Sequence, residues 1–90
     1  MIDERNILCA EVLLSKYFYE HSNTEKILAK DVLIEIKGRL SGLHRAEIKE
    51  ARKRLSIKSK RVEDEYQWEW DNPISPEAIW SSKSKEFFGG

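Results

Sequence analysis

The stretch Gly42-Leu43-His44-Arg45-Ala46-Glu47-Ile48-Lys49-Glu50-Ala51-Arg52-Lys53-Arg54-Leu55-Ser56-Ile57-Lys58-Ser59 decides how this chain folds. Ile48, Ala51 and Leu55 recur on one narrow helical face, and the small Ala51 allows close approach of another helix, so that face belongs to a core. Leu43 packing on Ile48 forms a hydrophobic staple around an N-cap at His44. Glu47, at the third helical position, reaches back to the backbone N–H of the cap. An imidazole caps less well than Ser or Asp, so this is half a capping box. Just upstream, Val32, Leu33, Ile36 and Leu40 predict a helix from about Ala29 to Leu40. Ser41 and Gly42 break it, the glycine supplying a left-handed turn.

Toward the N-terminus, Asp3 caps a helix carrying Ile7, Ala10, Leu14, Tyr17 and Phe18 at helical spacing and ending near Glu20. Its other side carries Leu8, Val12 and Tyr19, leaving only Glu11, Ser15 and Lys16 to keep it wet. A helix apolar on two sides is packed on two sides, which makes this one central or an interface. His21 to Lys26 has turn chemistry.

Toward the C-terminus, Ile57–Val62 and Tyr66–Trp70 read as two short strands joined across Glu63-Asp64-Glu65. Tyr66, Trp68 and Trp70 alternate onto one face, a pattern that reads as the cover of a small core in preference to a platform for stacking bases. Asn72-Pro73 turns the chain, Ser75-Pro76-Glu77 starts a short helix through Trp80, and Ser81–Gly90 reads as frayed. Ninety residues suit one core. The expected fold is therefore α+β, a three-helix winged helix-turn-helix over residues 1–70 with a C-terminal β-hairpin wing. Residues 71–90 form a short, partly disordered tail.

The formal net charge is zero, yet Arg39 to Arg61 holds nine Lys or Arg against Glu47 and Glu50, a net of +7, and the flanks carry −7. Arg45, Lys49 and Lys53 stand at i, i+4 and i+8, a cationic stripe on the solvent side of its helix, while Glu50 and Arg54 form an ion pair on another face. A basic middle between acidic flanks attracts a phosphate backbone. Arg45, nearest the helix start, suits a guanine edge; Lys49, Arg52 and Lys53 suit phosphates. Lys58, Lys60 and Arg61 extend the basic surface into the hairpin.

Other chemistries find little support. The single Cys9, among Ile7, Leu8 and Ala10, reads as a buried thiol and excludes an internal disulfide. His21 and His44 lack metal-ligand spacing and read as solvated or capping residues. No phosphate loop, nucleophile elbow or metal motif organises the carboxylates, so neither a catalytic site, a cofactor nor a small-molecule substrate is expected. The apolar runs fall far short of the roughly 20 residues of a membrane span. The N-terminus resembles no secretory signal, so a cytoplasmic location and no membrane partner are expected.

The stretch from Gly42 to Ser59, followed by Tyr66-Gln67-Trp68-Glu69-Trp70, resembles the winged-helix module at the C-terminal end of phage and plasmid replication primases and helicase-type ATPases. Those modules commonly read GIS-x-x-TL-x-R-A-x-x-x-L-G-V-x-S and then a glycine-rich wing ending in W-x-W. The likeness covers about Ala29 to Trp70, with Ile48, Ala51, Leu55, Ile57, Ser59, Trp68 and Trp70 in place. His44 stands where a capping Ser is usual, Ser56 where a Gly is, and Glu63-Asp64-Glu65 where the wing has glycines. The resemblance implies a phage or mobile-element protein that contacts double-stranded DNA, in replication or transcription regulation. The competing expectation is a protein-interaction module: the first helix and the aromatic tail residues Ile74, Ile79, Trp80, Phe87 and Phe88 would bind a second copy or a larger replication protein.

Overall fold

The computed structural model describes residues 3–23 and 26–85. In chain order these form α1 (Glu4–Glu20), α2 (Ala29–Arg39), α3 (Arg45–Arg54), β1 (Lys58–Val62), β2 (Glu65–Glu69) and α4 (Pro76–Lys83), an α+β arrangement of four helices and one antiparallel hairpin. Phe87 and Phe88 and the remainder of 86–90 lie outside the described residues.

The central helix is α1, which packs against α2, α3 and α4. It starts where Asp3, in an extended conformation, accepts a hydrogen bond from the Arg5 N–H at 2.8 Å. Ile7, Ala10 and Leu14 on α1 meet Ile48 and Ala51 of α3 and Val32 and Ile36 of α2 in one buried cluster, which Ile57, Trp68 and Ile79 complete. The expectation that Glu11 and Ser15 face water is overturned, because both are at most 1 % exposed. The returning tail supplies their partners: Ser15 Oγ donates to the Ile74 carbonyl, and Lys83 at the end of α4 forms an ion pair with Glu11. The part of α1 that carries Glu11 and Ser15 is thus covered by its own chain. Cys9 also departs from expectation, being half-buried at a groove instead of sealed in the core.

Ile27 and Leu28 join the sheet before α2 begins. Trp68 N–H donates to the Ile27 carbonyl at 2.8 Å and Leu28 bridges Gln67, so β2 is flanked on both sides and β1 is the outer strand. Leu40 ends α2 in an extended conformation (φ −143°, ψ 88°), and its carbonyl accepts from Leu43 N–H at 3.2 Å to close the turn. Gly42 is not left-handed as expected: this hydrogen bond closes a turn over Ser41 and Gly42, and nothing lies within 4 Å of a Cβ added at Gly42.

At the start of α3, Leu43 and Ile48 are both buried. Glu47 is 0 % exposed and accepts from the backbone N–H of His44 (2.9 Å) and of Asp3 (2.7 Å) and from Asn6 Nδ2 (3.1 Å). One carboxylate thus ties the beginnings of α1 and α3 together. At the other end Ser56 takes φ 61°, and Ser56 N–H and Ile57 N–H donate to the carbonyls of Lys53 (3.0 Å) and Arg52 (3.1 Å), the paired bonds of a left-handed helix terminus.

The hairpin pairs Val62 with Glu65, so its loop is the two residues Glu63 and Asp64, with Glu63 at φ 58°. The three-residue turn expected from the sequence is one residue too long. A three-residue turn would set Lys60 opposite Trp68, whereas the observed register sets Ser59 there. Opposed residues share a face and neighbours alternate, so this single residue moves Lys58 and Lys60 to the face opposite Trp68. Beyond β2, Ser75 caps α4 by accepting from Ala78 N–H at 3.2 Å. The helix runs past Trp80 to Lys83, where frayed chain was expected, because Ile79 is held in the core and Lys83 by Glu11.

Candidate nucleic-acid interface

Arg45 is the first residue of α3, and Lys49 and Lys53 follow at one-turn intervals; all three are exposed. Among the described residues none of them forms an ion pair. Neighbouring cations differ. Arg54 is bound by Glu50 (3.0 Å) and, through both terminal nitrogens, by Glu4 (2.8 and 3.1 Å). The hydrogen bond from Arg54 holds the Glu4 carboxyl below its usual range, while Glu4 and Glu50 hold the Arg54 charge more firmly than usual. Arg39 is paired with Glu35 at 3.0 Å on α2. Among the described residues Arg54 is the one cation of α3 paired with acids, so the stripe is left uncompensated.

Arg52 plays a different part from the phosphate contact expected of it. Its Nη1 donates to the Ile57 carbonyl at 3.0 Å, and its guanidinium lies 5.6 Å from the ring centre of Trp68. It is half-buried and pins α3 to the hairpin. Between the two lies an open cavity of about 330 Å³, lined by Leu33, Arg45, Ile48, Lys49, Arg52, Ser59 and Trp68. Leu33 and Ser59 escaped the sequence reading: a leucine among helical apolar positions looks like core, and the face of a serine depends on the hairpin register.

The hairpin cations do not form one surface with α3. Arg61 shares the face of Ser59 and Trp68, stands 6.0 Å from the ring of Tyr66 and reaches Asp64 at 3.8 Å. Lys58, on the opposite face, pairs with Asp71 at 3.1 Å. Lys60 is exposed, also on that opposite face, with no ion-pair partner among the described residues. Lysines on an outer strand also discourage edge-to-edge pairing, which gives Lys58 and Lys60 a structural reason to be there.

Glu47 is buried where α3 begins. Burial alone would raise its pKa, but hydrogen bonds from the His44 and Asp3 backbones and from Asn6 outweigh burial and leave it below the usual carboxylate range. The charge is stabilised by donors that fix the N-terminus of α3, where Arg45 stands.

Among the described residues no group of three His, Cys, Asp or Glu is placed to hold a metal ion, and no helix is long and apolar enough to cross a membrane. No protein-family model, curated protein or solved structure matches the chain.

Proposed function

We propose that this chain is a winged helix-turn-helix module that binds double-stranded DNA non-enzymatically, with α3 in the major groove. One observation carries the reading: Arg45, Lys49 and Lys53 form an exposed row on α3 without acid partners, although acids elsewhere in the chain are numerous. Keeping like charges together costs a few tenths of a kcal/mol per pair, a cost that phosphates relieve. The order of elements supports it: a helix, a short bridging segment, two helices joined by a tight turn, then a hairpin. Arg45 faces base edges, Lys49 and Lys53 the flanking phosphates, and Lys60 a phosphate beside the outer strand; Arg52 braces the fold, while Lys58 and Arg61 are engaged by Asp71 and Asp64 in exposed ion pairs. The role in a phage or mobile element, in replication or transcription regulation, rests on the resemblance in residues 29–70.

The test is titration of a labelled duplex at several salt concentrations. Three uncompensated cations on phosphates give a slope of log K against log salt of about −2.7, with dissociation constants of roughly 10⁻⁴ to 10⁻⁶ M. Absence of binding at low salt refutes the proposal.

A second reading has its own observation. A cavity of about 250 Å³ is lined by Cys9, Val12, Leu13, Arg39, Leu40 and Trp80, almost wholly apolar, where α1, α4 and the end of α2 meet. This reading makes the groove a contact for a second copy or a larger protein, and sedimentation at rising concentration tests it: a concentration-independent monomer removes the homodimer.

A further inference from the structure

We propose that the cavity between α2, α3 and the hairpin receives a single unpaired nucleotide of a nucleic-acid strand, base against its apolar residues and phosphate at its cations. The inference rests on the reading of α3 as a nucleic-acid surface and goes beyond it, since an intact duplex keeps its bases stacked and presents none to those apolar residues.

The lining has two chemistries. Leu33, Ile48 and Trp68 supply its apolar part, with Ile48 and Trp68 buried, and Arg45, Lys49 and Arg52 its cationic part, with Ser59 beside them and no acid among the lining residues. A ligand that satisfies both is flat and apolar at one end and anionic at the other, which describes a nucleotide. The volume of about 330 Å³ lies at the small end of the range for ligand sites. The guanidinium of Arg52 is already immobilised by Trp68 and the Ile57 carbonyl. A base stacking on it orders no new side chain. Lys49, uncommitted to any carboxylate among the described residues, remains for the phosphate.

The full chain is titrated against three probes: a 20-base-pair duplex, the same duplex bearing one extrahelical 2-aminopurine nucleotide, and free dAMP. The expected result is at least fivefold tighter binding of the bulged duplex, the lower end of what one stacked base contributes. The 2-aminopurine fluorescence changes on binding. Leu33→Trp fills the cavity from α2 and Ser59→Phe fills it from the exposed outer strand, so either variant serves if the other fails to fold. Each leaves Arg45 and Lys49 in place and binds both duplexes at the wild-type duplex affinity. Equal affinity of the wild type for both duplexes overturns the cavity proposal while leaving the DNA reading standing, and no binding to either removes both. A bulge preference that survives both filled variants places the base elsewhere. Binding of free dAMP without a bulge preference makes the ligand a free nucleotide and overturns the strand origin.

Discussion

Replacing Glu47 by Ala removes the one carboxylate that serves two helix N-termini. The substitution strands the His44 and Asp3 N–H groups and the Asn6 amide, which now donate to Glu47 at 2.7–3.2 Å. An unsatisfied buried donor costs about 1–3 kcal/mol. Asp3 and His44 lie at the surface and water recovers part of that, so the expected loss is about 3 kcal/mol. The domain as a whole is worth roughly 5–13 kcal/mol at the usual stability per residue, so this is a large fraction. At about 4–8 °C per kcal/mol the melting temperature falls by roughly 12–24 °C. Glu47→Gln keeps one acceptor and costs about 1–2 kcal/mol. Glu47 is held below its ordinary value near 4.5 by these hydrogen bonds against the opposing effect of burial, so its ionised form belongs to the folded state. The stability it contributes is complete above the unfolded value and is lost as pH falls through the lower folded value. Urea melts of wild type and Glu47→Gln between pH 7 and pH 2.5 therefore converge in acid. A Glu47→Ala loss under 0.5 kcal/mol, or parallel acid limbs, refutes the double-cap account.

Three further outcomes follow from other contacts. Lys83→Ala strands the buried Glu11 carboxylate and costs about 1–3 kcal/mol, less than for a fully enclosed pair because Lys83 is partly exposed, whereas Glu11→Met with Lys83→Met is near neutral; equal losses in urea melts contradict this. Ser56→Gly relieves a left-handed serine and raises stability by about 0.5–1 kcal/mol, net of the extra entropy of glycine, and a loss in the same melts shows that the Ser56 side chain matters. Glu63→Gly with Asp64→Asn suits the positive φ at the first loop position and removes two negative charges from the hairpin tip; duplex affinity rises, by less at high salt, and a fall in affinity makes the acidic tip a favourable contact.

The helices were legible because their signals are local. Asp3, the Leu43–Ile48 staple, the Ile48-Ala51-Leu55 face and Ser75 with Pro76 all act within one or two turns, and each lies where the pattern placed it. The misses are non-local or turn on one residue. Glu11 and Ser15 look solvated until Lys83 and Ile74 return to them from 72 and 59 residues away. Glu63 adopts a conformation usually left to glycine, which shortens the hairpin loop and reverses the faces of Lys58 and Lys60. Along α3, Arg45, Lys49 and Lys53 were readable as one exposed row from spacing alone. Arg52 was not separable from them, since its fixing depends on the indole of Trp68, 16 residues further on.

The central claim is that the exposed row on α3 is the DNA-contacting surface, and the most direct measurement compares wild type with Lys49→Glu/Lys53→Glu by fluorescence anisotropy on one labelled duplex at low salt. Both residues are exposed and form no ion pair among the described residues, so melting is unchanged to within about 0.5 kcal/mol. The account predicts at least a tenfold loss of affinity in the folded double variant, with a shallower salt slope. Wild-type affinity in that variant contradicts it and moves the DNA-binding surface off α3.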